Sequence, residues 1–189
     1  MEELINQDQQ LFLLLNGLGT ESWDGFWMFM TAKLSSLPLY LLLLYLAFRQ
    51  LGLKSTLFLL IIVALMITAS DQLSNAFKYG FERLRPCHDD IIFNQMRLVK
   101  PYCGGKFGYF SAHASNSFAV ATFFALLLNK SNKWWPAILL LWALTVAYSR
   151  IYIGVHYPLD VITGMSFGML FGWGFYKLFK ITSQRFISS

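Results

Sequence analysis

Charge is scarce in this chain of 189 residues. Only 13% of the residues are Asp, Glu, Lys or Arg, about half the share found in an average soluble domain, whereas 56% are hydrophobic. The chain also lacks internal repeats and low-complexity linkers. The scarcity of charge excludes an ordinary soluble domain, and the lack of linkers favours a single domain over residues 1–189.

Long apolar runs replace the missing charge. Five of them are candidates for crossing a membrane, and their approximate bounds are 35–48, 57–76, 114–128, 134–148 and 161–179. A full crossing of a hydrocarbon core needs about 20 residues, so flanking residues must complete several of these spans. The predicted fold class is all-α: a polytopic membrane helical bundle of about five transmembrane helices.

The N-terminal segment 1–16 differs from these runs because polar and apolar residues are interspersed over too short a length to span. It is predicted to form a helix that lies in the membrane interface, with Trp23 and Trp27 as anchors at the headgroup level. A frayed polar terminus is the alternative. The segment lacks the basic start and the A-x-A-like site of a secretory signal.

Acidic residues are missing from one side of the predicted bundle. If the five helices alternate in direction, that side carries seven basic residues, namely Arg49, Lys54, Lys130, Lys133, Lys177, Lys180 and Arg185. The other side carries the remaining eight of the fifteen basic residues and all ten acidic ones. The positive-inside rule places the first side, with the C-terminus, in the cytoplasm. The net charge of +5 therefore reflects membrane topology and gives no support for nucleic-acid binding.

Cysteine is nearly absent. The two cysteines, Cys87 and Cys103, both fall in the polar connection 81–109, which this topology places outside the cytoplasm. A disulfide is the favoured interpretation, and it would restrain the unfolded chain by about 3 kcal/mol in the entropy model. Two independent thiols, or a zinc site that includes His88, are the alternatives.

Three short polar strings interrupt the apolar chain. The first is Lys78-x6-Arg85-Pro86, the second is Phe110-Ser111-Ala112-His113, and the third is Ser149-Arg150-x5-His156-x3-Asp160. Charges beside hydrocarbon are costly and usually remain because they perform chemistry or bind a ligand. Since the topology places all three strings on the outer side, we treat them as one candidate site.

The first string offers two cations on one helix face. Lys78 and Arg85 are seven residues apart, or two helical turns, and Pro86 predicts the end of the helix. Arginine presents a bidentate fork to phosphate oxygens and lysine a compact charge. The alternative is that these cations merely snorkel toward the headgroups, and Arg83 is interpreted in that way.

The second string predicts an anion site at a helix start. Ser111 is placed to cap the third span, whose first turn would present free N–H groups to an anion. His113 lies in that turn and is placed to donate a proton to a leaving oxygen. An interfacial histidine bonded to backbone is the alternative for His113.

The third string predicts an oriented histidine. Pro158 suits the first position of the last helix, so His156 precedes that helix and Asp160 lies in its first turn. A carboxylate bonded to one ring nitrogen raises the basicity of the other, as required of a histidine nucleophile. Arg150 adds a third cation.

Three further features of the sequence each have a structural interpretation. Asp71, within the second span, is interpreted as a structural hydrogen-bond partner of a neighbouring helix, with Ser70 or Ser74 involved, and catalysis is the alternative. The run His88-Asp89-Asp90 is interpreted as solvated loop residues, with a metal site as the alternative. The small residues Gly164, Gly168, Gly172 and Gly174 indicate close packing of the last helix.

The three strings together resemble the type 2 phosphatidic acid phosphatase superfamily, whose pattern is K-x6-RP, PSGH and SR-x5-H-x3-D. The first and third strings match in full, whereas Phe110 replaces Pro and Ala112 replaces Gly in the second. The resemblance implies that Lys78, Arg85 and Arg150 bind the phosphoryl group, assisted by backbone N–H groups at Ser111, Ala112 and His113. It further implies His156 as nucleophile, Asp160 as its orienting acid and His113 as proton donor, with no metal or cofactor.

The expected function is that of a lipid phosphate or diphosphate phosphatase in the inner membrane, with its site on the extracytoplasmic side. The resemblance favours undecaprenyl diphosphate as the substrate, with phosphatidylglycerophosphate, phosphatidate and lipid A phosphate as alternatives. A membrane protein that only binds or moves phospholipids is the non-enzymatic alternative, and the membrane spans disfavour a haloperoxidase. The expected partners are the lipid phosphate and membrane lipids, without nucleic acid; the sequence does not determine the oligomeric state.

Overall fold

The computed structural model describes residues 2–129 and 131–186, so Lys130, which entered the charge count, lies outside the described residues. Within the described part the chain forms seven α-helices and no strand. They are α1 (Glu2–Gly17), α2 (Glu21–Thr31), α3 (Leu37–Phe81), α4 (Asp90–Phe93), α5 (Ala112–Leu128), α6 (Trp135–Tyr152) and α7 (Pro158–Phe186). Short 3-10 turns cover Lys33–Ser36 and Pro86–His88. The predicted all-α fold class is confirmed.

Helix α3 is a hairpin of two arms, residues 37–51 and 53–81. Gly52 separates the arms with φ of 76° and ψ of 175°, a left-handed backbone that favours glycine. Tyr40 and Leu43 in the first arm line the same cavity as Leu59 and Val63 in the second, so the arms run side by side. The two arms, together with α5, α6 and α7, correspond to the five predicted spans.

The outer surface of this bundle is apolar. On the second arm of α3, Leu57, Ile61 and Leu65 are each more than half exposed, as are Leu141 on α6 and Leu170 on α7. The segments Leu34–Phe81, which includes α3, and Trp135–Tyr152, which is α6, are also long and apolar enough to cross a membrane. Their mean hydropathies, each taken over 18 residues, are 2.2 and 1.2. Such a surface suits lipid, and the membrane location agrees with the prediction.

Helix α5 lies at the centre and packs closely on α7 through a stripe of glycines. A Cβ atom on Gly164 or Gly172 would lie 2.5 Å from the backbone oxygen of Ser111 or Ala119, and one on Gly168 would collide with the oxygen of Ser115. The predicted close packing is therefore present at these three positions. It is absent at Gly174, where an added Cβ meets no atom within 4 Å.

Helix α1 docks on the ends of α6 and α7. Phe12 is fully buried, with its ring centroid 5.3 Å from that of Tyr157. The side-chain amide of Asn16 donates to the carbonyls of Ile151 (3.1 Å) and Tyr152 (2.9 Å) at the end of α6. The docking joins α1 to the bundle end that holds the polar strings. Its position in the membrane interface stays a prediction.

The glycine stripe gives a first testable prediction. Replacing Gly168 by Val should force α5 and α7 apart and lower the thermal midpoint of the purified protein in detergent, because overpacking typically costs about 1–3 kcal/mol. Gly174→Val, on the same helix with open space around it, is the matched control. Equal midpoints for the two variants would contradict the close α5–α7 contact.

Candidate active site

A cavity of about 530 Å³ brings the three polar strings together. It lies where the second arm of α3 ends, α5 begins, α6 ends and α7 begins. Six of the eight residues predicted to bind or react with phosphate line it: Lys78, Arg85, Ala112, His113, Arg150 and His156. The other two, Ser111 and Asp160, are fully buried directly behind it.

Two of the three cations of the cavity, Arg85 and Arg150, donate to neutral oxygens. Arg85 lies in the loop after α3 and not on the helix as predicted, because α3 ends at Phe81. Arg85 donates from Nε to the carbonyl of Phe107 (3.2 Å) and from Nη1 to that of Cys103 (3.0 Å). Arg150, which is 5% exposed, donates from Nη1 to the hydroxyl of Thr31 at the end of α2. Among the ion pairs of the described residues, none includes Lys78, Arg85 or Arg150. Their positive charge therefore remains available to a bound anion.

His156 and Asp160 form a buried pair at the start of α7. Nδ1 of His156 lies 3.3 Å from Oδ2 of Asp160, and the same oxygen accepts from the backbone N–H of Tyr157 (3.1 Å). This is the arrangement that the third string predicts. With Nδ1 facing the carboxylate, the other ring nitrogen, Nε2, is left to act as a nucleophile or base.

The second oxygen of Asp160 binds Arg83, in the loop after α3. Arg83 donates from Nη1 to Oδ1 of Asp160 (2.7 Å) and from Nη2 to Oδ2 of Asp8 in α1 (2.5 Å). Its guanidinium also lies 4.5 Å from the ring centroid of Tyr157. The interpretation of Arg83 as a snorkelling cation was wrong, because two carboxylates far away in the sequence hold it inward.

Asp8 was missed as well. Besides Arg83 it binds the backbone N–H of Leu159 (2.8 Å), in the first turn of α7. A signal was available in the sequence: Asp8, Phe12 and Asn16 follow one another at four-residue spacing, which places them on one helix face. Polar residues in register with a buried aromatic one predict specific polar contacts beneath the helix.

The loop run His88-Asp89-Asp90 is solvated only in part. His88 and Asp90 are exposed, but Asp89 accepts hydrogen bonds from the hydroxyl of Tyr157 and the amide of Gln9, both at 3.1 Å. Asp89 also caps α4 by accepting from the N–H of Ile91. The loop therefore supports the residue next to His156.

The second string caps α5 as predicted. Ser111 precedes the helix, its hydroxyl accepts from the N–H of Ala114 (3.5 Å), and its own N–H donates to the carbonyl of Asp160 (3.0 Å). Ala112 begins the helix, and Glu82 is the one non-glycine residue with positive φ among those described. The replacement of Gly by Ala thus causes no backbone strain.

Phe110, the other departure from the family pattern, fills an aromatic cluster. Its ring stacks on Phe167 with centroids 4.9 Å apart and meets the edge of Phe77 at 5.2 Å. Its carbonyl accepts from the hydroxyl of Ser74 (2.9 Å). A phenylalanine therefore anchors the second string by packing where the family pattern has a proline.

Polar contacts also join α3 to α5 beside the cavity. The Ser70 and Ser115 hydroxyls lie 2.7 Å apart, and the carboxylate of Asp71 accepts from the side-chain amide of Asn116 at 2.8 Å. Asp71 therefore bonds to the neighbouring helix as predicted, through Asn116 instead of a serine. Both Asp71 and Asn116 line the cavity.

The two cysteines are brought together with Cα atoms 6.0 Å apart, a separation usual in disulfides. The Cys103 carbonyl is also the acceptor of the Arg85 guanidinium. Among the described residues, no group of three or more His, Cys, Asp or Glu side chains is arranged to hold a metal ion. The zinc site considered with His88 is therefore not formed by these residues.

Known proteins resemble this chain along most of its length. Residues 57–183 match the PAP2 superfamily. A lipid A 4'-phosphatase from Bacteroides thetaiotaomicron is 37% identical over 187 residues, covering 97% of this chain and 82% of that protein. An undecaprenyl-diphosphatase from Sulfolobus acidocaldarius is 31% identical over 171 residues, covering 88% of this chain and 76% of that protein.

A solved structure shares the fold. The transmembrane PAP2-type phosphatidylglycerolphosphate phosphatase from Bacillus subtilis superposes with a TM-score of 0.74 at 22% identity, covering 98% of this chain and 89% of that one. The described helices therefore adopt an arrangement already known in a membrane protein.

The surroundings of His156 lower its pKa. Burial lowers the pKa of His156 well below its usual value, and the positive charges of Arg85, Arg150 and Lys78 lower it further. A hydrogen bond with the backbone of Gly108 acts in the opposite direction but does not outweigh them. A lowered pKa means that the neutral, nucleophilic ring persists at pH values where an ordinary histidine is largely protonated.

This environment gives a titration prediction. In ligand-free protein the ring of His156 should remain neutral at pH 6.5, as measured by 15N-histidine NMR with the signal assigned by a His156→Gln variant. Added orthophosphate should raise the pKa, because the anion offsets the three cations. Half-protonation at or above pH 6.5 without ligand would contradict the cationic surroundings.

Proposed function

This chain belongs to the PAP2 superfamily and is a membrane lipid phosphatase; we propose that it removes a phosphate monoester from a sugar-headed lipid of the lipid A type. The observation that carries the proposal is the cavity itself, where three cations that form no ion pair with any described residue lie around a buried histidine–aspartate pair. A phosphoryl group requires neutralisation of its spreading charge and an aligned nucleophile, and these residues supply both.

The reaction follows in two steps. Lys78, Arg85 and Arg150 bind the phosphoryl oxygens, with the N–H groups at the start of α5 as further donors. Nε2 of His156 attacks phosphorus, the ester P–O bond breaks, and protonated His113 gives its proton to the leaving alkoxide. Water then attacks the phosphohistidine and gives a proton to His113, and cleavage of the P–N bond releases phosphate.

Asp160 and its neighbours act on the nucleophile instead of the phosphate. The carboxylate bonds Nδ1 of His156 and stabilises the ring as it becomes cationic during attack. Arg83 holds that carboxylate from its other oxygen, and Asp8 holds Arg83. A bond between Cys87 and Cys103 would fix the carbonyl to which Arg85 donates, and we propose that this disulfide is formed.

The sequence comparison supports lipid A phosphate over the substrate first favoured. Similarity to a lipid A 4'-phosphatase reaches 37% over nearly the whole chain, against 31% over a shorter stretch for an undecaprenyl-diphosphatase. Undecaprenyl diphosphate is therefore the second candidate. The distribution of charge supports an extracytoplasmic site with a cytoplasmic C-terminus, as the positive-inside rule indicates.

Phosphate release by the purified protein tests the function. We expect release from lipid A and slower or no release from undecaprenyl diphosphate, phosphatidate and phosphatidylglycerophosphate, all measured in EDTA. His156→Ala should lower kcat by more than about a thousandfold. His88→Ala, which alters an exposed histidine outside the cavity, is the matched control. Activity retained in His156→Ala would rule out the phosphohistidine route, and complete loss in EDTA would rule out a metal-free one.

Arg83 gives a separate prediction. Arg83→Gln should lower kcat about tenfold to a hundredfold with little change in KM, because it loosens Asp160 while the phosphate-binding cations stay in place. Arg83→Lys should recover part of the loss, since it restores one charged partner. Arg85→Gln should instead raise KM. A rise in KM without a fall in kcat for Arg83→Gln would place Arg83 among the substrate-binding groups.

A further inference from the structure

The cavity has two chemically different ends. Around His156 it is cationic, as described above, whereas deeper in the bundle it presents Asp71 and Asn116. Asp71 lies seven residues before Lys78 on the same arm of α3, which is two helical turns or about 10 Å along the axis. An acid so placed is not needed to bind phosphate, and it would repel a second phosphoryl group that approached it.

Hydrogen-bonding capacity at this deeper end is unfilled. The side-chain N–H of Asn116 donates to Asp71, and the side-chain oxygen of Asn116, Oδ1, takes no part in that hydrogen bond. In the described part of the chain, three buried side-chain atoms have no partner, and two of them belong to residues of this cavity: Oδ1 of Asn116 and Nε of Arg150. One is an acceptor on a residue of the deep end, and the other is a donor on a residue of the cationic end. Buried polar atoms are rarely left unpaired unless a ligand or water completes them.

An apolar cavity of about 370 Å³ continues from the same point. It shares Tyr40, Ile67 and Asn116 with the first cavity and is otherwise lined by aliphatic and aromatic side chains such as Leu43, Val63 and Phe124. From His156 through the first cavity into the second, the lining therefore changes from cations to hydrogen-bond acceptors and then to apolar side chains. A prenyl diphosphate, in which the second phosphate joins the hydrocarbon directly, would bring negative charge to Asp71.

We propose that Asp71 and Asn116 form a headgroup subsite, which accepts hydrogen bonds from hydroxyl or amide N–H groups lying between the phosphate and the acyl chains of the substrate. The inference rests on the proposed function and deepens it. The subsite selects phosphate monoesters of amino sugars or other donor-rich headgroups, and it disfavours lipids that lack such donors and lipid diphosphates.

The test compares substrates that differ in donors but not in phosphate chemistry. A diacylated glucosamine phosphate carries hydroxyl and amide donors, phosphatidate has the same monoester without them, and a C55 prenyl diphosphate brings the second phosphate. The measured quantity is the ratio of kcat/KM values between the glucosamine lipid and each of the others. This ratio does not depend on how much of a variant is folded.

Asp71→Asn keeps the shape and removes the charge, whereas Asn116→Leu removes the unpaired acceptor. Each should lower the glucosamine-to-phosphatidate ratio about tenfold to a hundredfold, the usual value of a hydrogen bond to a charged or buried group. Asp71→Asn should also raise the relative rate on the prenyl diphosphate. Asn75→Leu, at an exposed position of the same helix arm, is the control and should leave all ratios unchanged.

The outcomes separate this inference from the function on which it rests. If the wild-type protein released no phosphate from the glucosamine lipid, the proposed function would fail. If the wild-type protein acted on that lipid while both variants kept the wild-type ratios, Asp71 and Asn116 would serve only to join α3 to α5. A parallel loss on all three substrates would likewise overturn the subsite.

Discussion

The carboxylate of Asp160 is the point on which the described site depends. It is fully buried, and its oxygens meet Arg83, His156 and the N–H of Tyr157, while its backbone carbonyl accepts from Ser111. A buried carboxylate is tolerated when it is paired, and removing its partner typically costs about 3–5 kcal/mol. Arg83 in turn needs a second acceptor, which Asp8 provides. Helix α1, the loop after α3 and the start of α5 are thus all linked to Asp160, directly or through Arg83.

The cations of this region fall into two classes. Arg83 is neutralised by two carboxylates, whereas the guanidinium groups of Arg85 and Arg150 in the cavity donate to carbonyl and hydroxyl oxygens. Neutral oxygens satisfy donors without cancelling charge, so the guanidinium groups stay positive and fixed in direction. One end of the bundle therefore holds both a neutralised carboxylate, which orients His156, and positive charge that can attract a dianion.

Local spacing in the sequence was enough to predict much of this arrangement. The start of α7 at Pro158 depends on helical geometry, which acts over a few residues. The prediction that one helix would carry both Lys78 and Arg85 and end at Pro86 was wrong. Helix α3 ends at Phe81, and Arg85 lies in the following loop with an extended backbone, where its N–H donates to the carbonyl of Lys106. Arg83 pairs with Asp8 across 75 residues and Arg150 with Thr31 across 119, and no local pattern records such contacts. Gly174 was grouped with the packing stripe by composition. It lies only two residues beyond Gly172, however, and so turns to a different face of α7.

The family match over residues 57–183 leaves out α1, α2 and the first arm of α3. Yet Asp8 secures the pair at His156, Thr31 binds Arg150, and Tyr40 borders both cavities. Residues outside the family match therefore brace the histidine–aspartate pair and border both cavities. Substitutions in the first third of the chain can thus change the support and the lining of the site without replacing any residue of the three polar strings.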